Sequence, residues 1–250
     1  MKAQIYIFSS KAEIYAKYRW RYAPEAIQTI FDHTRITQAS TVADIGAGTG
    51  ILTREFIGKV KQIFAVEPNP AMRSIAQREL GQFSTCQVID GRAEETTLES
   101  DSVDLIIAAT SVHWFEPESS RREFYRILKP GGWLALCRNY GTNRDLGEAL
   151  LSVYPPENDT ESLMVGKHQA RSFYYGGEKY LKMDFPFEIK LTWKAFLGSL
   201  STASYAPDED SPLYVQFERD ARSVFDEFSI DNQIEVQGMT ELYLGQISYS

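Results

Sequence analysis

Short apolar runs alternate with amphipathic stretches through the first half of the chain. Thr41-Val42-Ala43 with Ile45, Gln62–Val66, Gln87–Asp90, Ser102–Ala109 and Trp133–Cys137 are brief and mostly aliphatic, as strands buried on both faces of a parallel sheet are. Helical patterns fall between them, from Pro24, from Pro70 and over Arg121–Leu128, the first two with proline in the opening turn. Ile51-Leu52-Thr53-Arg54-Glu55-Phe56-Ile57 is apolar-periodic and predicts a further helix after the first strand. Strands and helices in regular alternation predict an α/β fold.

The rhythm changes in the second half. Residues 139–212, with Tyr154-Pro155-Pro156 and Gly176-Gly177, read as an insertion over the sheet that shapes a substrate site. Inside it, Asp184–Trp193 alternates as a strand and Lys194–Leu200 predicts a helix. Tyr214–Phe228 predicts an amphipathic helix, and Ile234–Val236 with Leu242–Ile247 a closing antiparallel hairpin. Residues 1–35 precede the first strand as a leader of lid helices, and the expectation is a single domain over 1–250.

Composition narrows the partners. A formal net charge of −8 and the absence of any basic run disfavour nucleic acid, whose binding relies on Lys and Arg neutralising phosphates. Cys86 and Cys137 sit in apolar runs and read as reduced, buried thiols. No Cys/His spacing suggests a metal site. The start has no long apolar stretch and nothing approaches a membrane span, so the expectation is a cytoplasmic protein, monomer or homodimer.

The candidate chemistry starts at the first strand's end, Asp44-x-Gly46-x-Gly48-x-Gly50, with Ala47 between the glycines. A ligand can approach a backbone closely only where no Cβ intervenes. A dinucleotide fingerprint would put a small residue at position 51, where Ile51 stands. The run instead resembles motif I of the class I S-adenosylmethionine-dependent methyltransferases. Glu67 ends the second strand about 20 residues after the first glycine, where an acid accepts hydrogen bonds from ribose hydroxyls. Pro68 follows it, and Met72 in the next helix either covers the adenine or enters the core. Further on, Gly91-Arg92-Ala93-Glu94, the strand end Thr110-Ser111-Val112-His113-Trp114 and Lys129-Pro130-Gly131-Gly132 arrive in the order of that family.

The resemblance covers roughly residues 10–138 and is nearest the small-molecule, trans-aconitate methyltransferase-like group. It implies a Rossmann-like three-layer fold with a seven-stranded, mostly parallel sheet in the order 3-2-1-4-5-7-6 and a lid between strands five and six. It also implies S-adenosylmethionine as cofactor, S-adenosylhomocysteine as product, no metal, and a small-molecule methyl acceptor, a carboxylate being one candidate. Asp44, the glycine loop and Glu67 would hold methionine and ribose; Arg92, Ala93 and Glu94, with Asp90 as rival, the adenine; Thr110, Ser111 and Trp114 the sulfonium end. The Asn/Asp-Pro-Pro-aromatic sequence of base-modifying enzymes is absent at that strand end, which weakens a nucleic-acid substrate further. His113 is the candidate general base, while His33 and His168 read as structural.

In the leader, Tyr15, Arg19 and Tyr22 form an aromatic and cationic lid. Arg19 can meet a carboxylate through a bidentate fork, on the cofactor or on the acceptor. Ser204 and Tyr205 belong to a hydroxyl-rich turn that can line the substrate side. Two alternatives stay open: an NAD(P)-dependent oxidoreductase and a non-catalytic S-adenosylmethionine-binding protein.

Overall fold

A computed structural model describes residues 8–154, 170–177 and 179–247. The proline pair Pro155-Pro156, His168 and the first seven residues of the start lie outside the described residues. The elements run α1 Ala12–Tyr18, α2 Pro24–Thr34, β1 Thr41–Ile45, β2 Gln62–Val66, α3 Pro70–Leu80, β3 Cys86–Ile89 and β4 Val103–Ala109. They continue with α4 Pro117–Ile127, β5 Leu128–Gly141, α5 Arg144–Leu151, α6 Ala170–Tyr175, β6 Tyr180–Thr192, α7 Trp193–Ser201, α8 Tyr214–Phe228 and β7 Gln233–Gln246.

The described strands form one seven-stranded sheet in the order β3-β2-β1-β4-β5-β7-β6. Pairing is parallel from β3 to β5, and β7 runs antiparallel to both β5 and β6. This is the expected order. The strands β1 and β4 are buried on both faces, which is why their sequences run apolar without alternation. One face packs Ala43, Ile45 and Ile106 against Phe124 and Ile127 of α4. The other packs Val42, Ile63 and Leu105 against Ile27 and Ile30 of α2. A third apolar cluster, with Phe196, Leu200, Phe217 and Phe225, joins α7 and α8 over the far end of β6 and β7.

Three expectations need correction. Ile51–Ile57 is not a regular helix; turns lead into a four-residue 3-10 segment, Thr53–Phe56. Gly50 and Gly58, at φ +85° and +76°, bound the stretch with left-handed backbone, and the Thr53 hydroxyl donates to Asp44 Oδ2 at 2.6 Å. That leaves no room for the propagated turns from which a helix draws its dipole. Second, residues 234–247 make no hairpin of their own: all but the last belong to the single strand β7, whose long partner is β6. Gly238 is not a turn there. A Cβ on it would stand 2.3 Å from the Phe187 ring of β6, so the glycine makes space for a cross-strand aromatic. Third, α4 starts one turn before Arg121, because Pro117 takes its first position and the Glu116 carboxylate caps the N–H groups of Glu118 and Ser119.

Residues 139–212 accordingly include the end of β5, all of β6 and α7. The leader is fastened to this part of the chain. The Lys11 ammonium donates to the carbonyl of Ala203 at 3.0 Å and to that of Ala206, and the Ser10 hydroxyl donates to Asp208 at 2.8 Å. Gly198 of α7 lets the Tyr18 ring lie within 2.4 Å of where a Cβ would be.

Candidate cofactor and acceptor site

The carboxyl ends of β1, β2 and β4 open into one cavity, closed from above by the leader. The glycine loop is its floor. Gly46 and Ala47 donate their backbone N–H groups to the Val66 carbonyl, at 2.9 and 3.1 Å, which ties the loop to the end of β2. The three glycines then divide by role. A Cβ on Gly46 would stand 2.6 Å from Ser111 Cβ, and one on Gly50 2.3 Å from Leu80 Cδ1, so these two serve packing. A Cβ on Gly48, at φ +59°, would meet nothing within 4 Å. Gly48 is therefore bare backbone at the wall of an open space.

Glu67 spans the loop and the second strand. Its Oε2 accepts the Gly48 N–H at 2.7 Å and its Oε1 accepts the Asn69 N–H at 2.8 Å. Each oxygen keeps a lone pair for a ligand hydroxyl. Burial raises the Glu67 pKa, opposed by those two backbone donors. Asp44 is buried beside it, and burial pushes its carboxyl up to about 7 against the Thr53 hydrogen bond, with Glu67 raising it further. Two acids sharing one cavity favour a ligand with hydroxyl donors and positive charge.

The wall continues through Pro68 and Asn69, whose side chain caps α3 by accepting from the N–H groups of Ala71 and Met72. Met72 lines the cavity and also packs with Phe8 and Tyr15. Arg92, Ala93 and Glu94 form the next side. Of the rival acids, Glu94 lies on the wall and accepts the Glu116 N–H at 2.8 Å, whereas Asp90 turns to Arg73 at 2.9 Å. At the end of β4, Ser111 donates to the Ile45 carbonyl at 3.0 Å, and Thr110 holds a left-handed φ of +55°. A threonine in that region is strained, as residues at functional sites often are. Tyr22 reaches down from the leader, its hydroxyl 3.2 Å from Thr110 Oγ1. Tyr15 lines the roof, and Phe8 makes edge contacts with both Tyr15 and Trp114 at 5.9 Å.

Not every expected residue reaches this cavity. His113 lies against the Trp114 ring at 4.8 Å and is not among the residues lining this cavity. Its place in a three-residue 3-10 turn, Val112–Trp114, sends neighbouring side chains in different directions. Ser204 and Tyr205 are not on that wall either; the Tyr205 ring meets Tyr154 at 4.6 Å. Arg19 stands one layer out, over the Tyr15 ring at 5.4 Å, with Nη1 donating to Thr202 Oγ1 at 3.3 Å. Phe8, Asn69 and Phe115 line the cavity without having been singled out. The Glu-Pro-Asn-Pro sequence carried a signal for Asn69, a helix cap immediately before a helix-starting proline; Phe8 and Phe115 carried none.

The comparisons with known proteins follow the same lines. The methyltransferase-domain family matches residues 43–136. An uncharacterised methyltransferase of Mycobacterium tuberculosis is 35% identical over 172 residues, 65% of this chain and 68% of that protein. One of Schizosaccharomyces pombe is 34% identical over 137 residues, 54% of this chain and 53% of its own. A solved protein of Anaeromyxobacter dehalogenans, a candidate type II methyltransferase, superimposes with a TM-score of 0.64 at 19% identity, over 92% of this chain and 99% of that chain. The sheet order and the superposition together define the Rossmann-like fold of that solved protein. The chain belongs to the class I S-adenosylmethionine-dependent methyltransferases. Among the described residues no group of three or more His, Cys, Asp or Glu is placed to hold a metal, and no helix is long and apolar enough to cross a membrane.

Proposed function

We propose that this methyltransferase transfers the methyl group of S-adenosylmethionine to a small-molecule acceptor. The observation that carries the reading is the Gly48–Glu67 unit: bare backbone at the wall of an open cavity, bonded to a buried carboxylate that keeps acceptor capacity for a ribose diol. Asp44 and Glu67 would hold the polar and cationic end of the cofactor, Ala93 and Met72 would flank the adenine, and Thr110, Ser111 and Trp114 would border the sulfonium. Bound there, the cofactor supplies a methyl group on an already activated sulfur leaving group.

The protein's own part is positioning and the exclusion of water. Phe8, Tyr15 and Tyr22 roof the cavity, and the Lys11 and Ser10 bonds hold that roof against the 203–208 loop. Tyr22 stays a neutral phenol, because burial pushes its pKa well above the ordinary value; its hydroxyl, with Thr110, can orient an acceptor but not act as a base near neutrality. Arg92 and Glu94 would close the adenine side, with Gly46, Ala47 and Pro68 shaping the floor. A net charge of −8 supports a small acceptor over nucleic acid.

Calorimetric titration tests the cofactor. S-adenosylhomocysteine should bind and NAD should not; tight binding of NAD alone would overturn the reading. A screen of small acids, amines and phenols for release of S-adenosylhomocysteine then separates an enzyme from a protein that only binds the cofactor.

A further inference from the structure

Outside the cofactor cavity, on the sheet face that carries α6, three cations converge on one carboxylate. The Glu241 side chain of β7 is only 3% exposed, and its Oε2 accepts from Arg138 Nε at 2.6 Å and from Arg171 Nη1 at 2.9 Å. Its Oε1 accepts from Lys182 Nζ at 3.0 Å. The cations come from β5, α6 and β6, so the packing of separate elements brings them together. The two guanidinium nitrogens share one oxygen, and lie no farther apart than those two bonds laid end to end.

The charges do not balance. One carboxylate offsets one cation, and its lone pairs are far outnumbered by the N–H donors of two guanidiniums and an ammonium. The Tyr243 ring lies under Arg171 and Lys182, at 5.4 and 5.6 Å, and the Tyr140 ring under Arg138 at 5.0 Å. Such rings attract cations yet carry no net charge. Asp184 stands opposite Glu241 in the β6–β7 register, exposed, and makes no ion pair among the described residues. With it counted, three cations still face two acids, on a chain whose formal net charge is −8. Burial works to raise the Glu241 pKa, but the bonds from Arg138 and Lys182 hold it below the ordinary carboxylate value. Burial lowers the Arg171 pKa, and the nearby Arg138 charge lowers it further.

Like charges at this spacing repel, the more so away from water, and an anion relieves that repulsion. The cluster opens toward solvent in steps: the Arg171 side chain is 12% exposed, Arg138 24% and Lys182 50%. A phosphate group offers three or more acceptor oxygens and up to two charges. It matches donors arriving from three elements better than the two oxygens of a carboxylate do.

We propose that Arg138, Arg171 and Lys182, set on Glu241, form a binding site for a phosphate group. An occupant there also ties down α6, which touches the Val112–Trp114 turn at the end of β4. The same helix holds to the sheet through the Tyr175 hydroxyl, which donates to the Tyr243 carbonyl at 2.9 Å. None of the three cations lines the cofactor cavity, and the site does not depend on the methyl-transfer reading.

Titration calorimetry with inorganic phosphate, phenyl phosphate and acetate, in chloride of matched ionic strength, tests it. Phosphate should bind about tenfold or more tighter than acetate. Arg171→Gln and Lys182→Gln should each weaken phosphate about tenfold or more. Lys190→Gln, also on β6 but paired with Glu235, should bind phosphate like wild type. Tighter binding of phenyl phosphate than of inorganic phosphate identifies a phosphate ester as the occupant, and the reverse order free phosphate; both support the site. Glu241→Gln removes the competing charge, so its melting temperature should rise more on adding phosphate than that of wild type. Hydrogen exchange over residues 170–175 should slow with phosphate in wild type and not in Arg171→Gln. Equal affinity for acetate and phosphate, phosphate binding unchanged in Lys182→Gln, or no phosphate binding by folded wild type would overturn the proposal. Lys182 is half exposed, so its variant keeps the test decisive where Arg171→Gln fails to fold, and melts in chloride identify such a failure.

Discussion

The glycine loop offers a paired perturbation in which stability and binding should come apart. Gly50→Ala places a Cβ 2.3 Å from Leu80 Cδ1, and Leu80 is fully buried. Gly50 also holds φ +85°. Left-handed backbone costs an L residue about 1–2 kcal/mol, and overpacking a filled core about 1–3 kcal/mol more. The sum, about 2–5 kcal/mol, lowers Tm by about 4–20 °C for a chain of this size. Gly48→Ala carries the strain alone, since its Cβ would touch nothing within 4 Å. That is about 1–2 kcal/mol and a Tm lower by about 2–8 °C. Yet this Cβ stands at the wall of the cofactor cavity, so the variant should lose about tenfold or more in affinity for S-adenosylhomocysteine, or about 1.4 kcal/mol. Scanning calorimetry and titration calorimetry on both variants read the two quantities separately. If Gly48→Ala melts as low as Gly50→Ala, or binds S-adenosylhomocysteine like wild type, the division of roles within the loop is wrong.

Other outcomes follow from single groups. Glu67→Gln offers one acceptor oxygen to the two N–H groups of Gly48 and Asn69, so one buried donor is stranded; stability should fall by about 1–3 kcal/mol, measured by urea unfolding, together with cofactor affinity. Asp44 binds its proton more tightly folded than unfolded, with a folded pKa of about 7 against the ordinary 3.8, so its contribution to stability is lost as pH rises from about 4 to about 7. Asp44→Asn should flatten that decline in a series of melts, and an unchanged pH profile would refute the assignment. Lys11→Met removes the ammonium bonds to Ala203 and Ala206, and hydrogen exchange over residues 12–18 should speed up while the central sheet stays protected.

Much of this molecule was legible from local pattern. Aliphatic runs without alternation announced β1 and β4 because a parallel strand buries both faces, and Asp44, the alternating glycines and Glu67 were readable because a ligand-facing loop restricts which residue types can stand there. Local pattern misled where tertiary packing overruled it. Ile51–Ile57 has helical periodicity, but two left-handed glycines and the Thr53–Asp44 bond leave only a 3-10 segment. Ile234–Val236 and Leu242–Ile247 looked like a hairpin, but one long strand runs through them, with Gly238 making space for Phe187 across the sheet. The neighbours His113 and Trp114 also part company, Trp114 lining the cavity and His113 lying beside its ring, because a 3-10 turn decides which way each side chain leaves the backbone.

The sequence by itself announced the alternation of strands and helices and the glycine loop with Glu67, since each is written as a short local pattern. Only the tertiary structure decided what surrounds Arg19. Thr202 comes to it from 183 positions away (202 − 19), and no local pattern announces that the two will meet. The reason is physical: which distant side chains meet is set by how the elements pack, and that is a property of the folded chain alone.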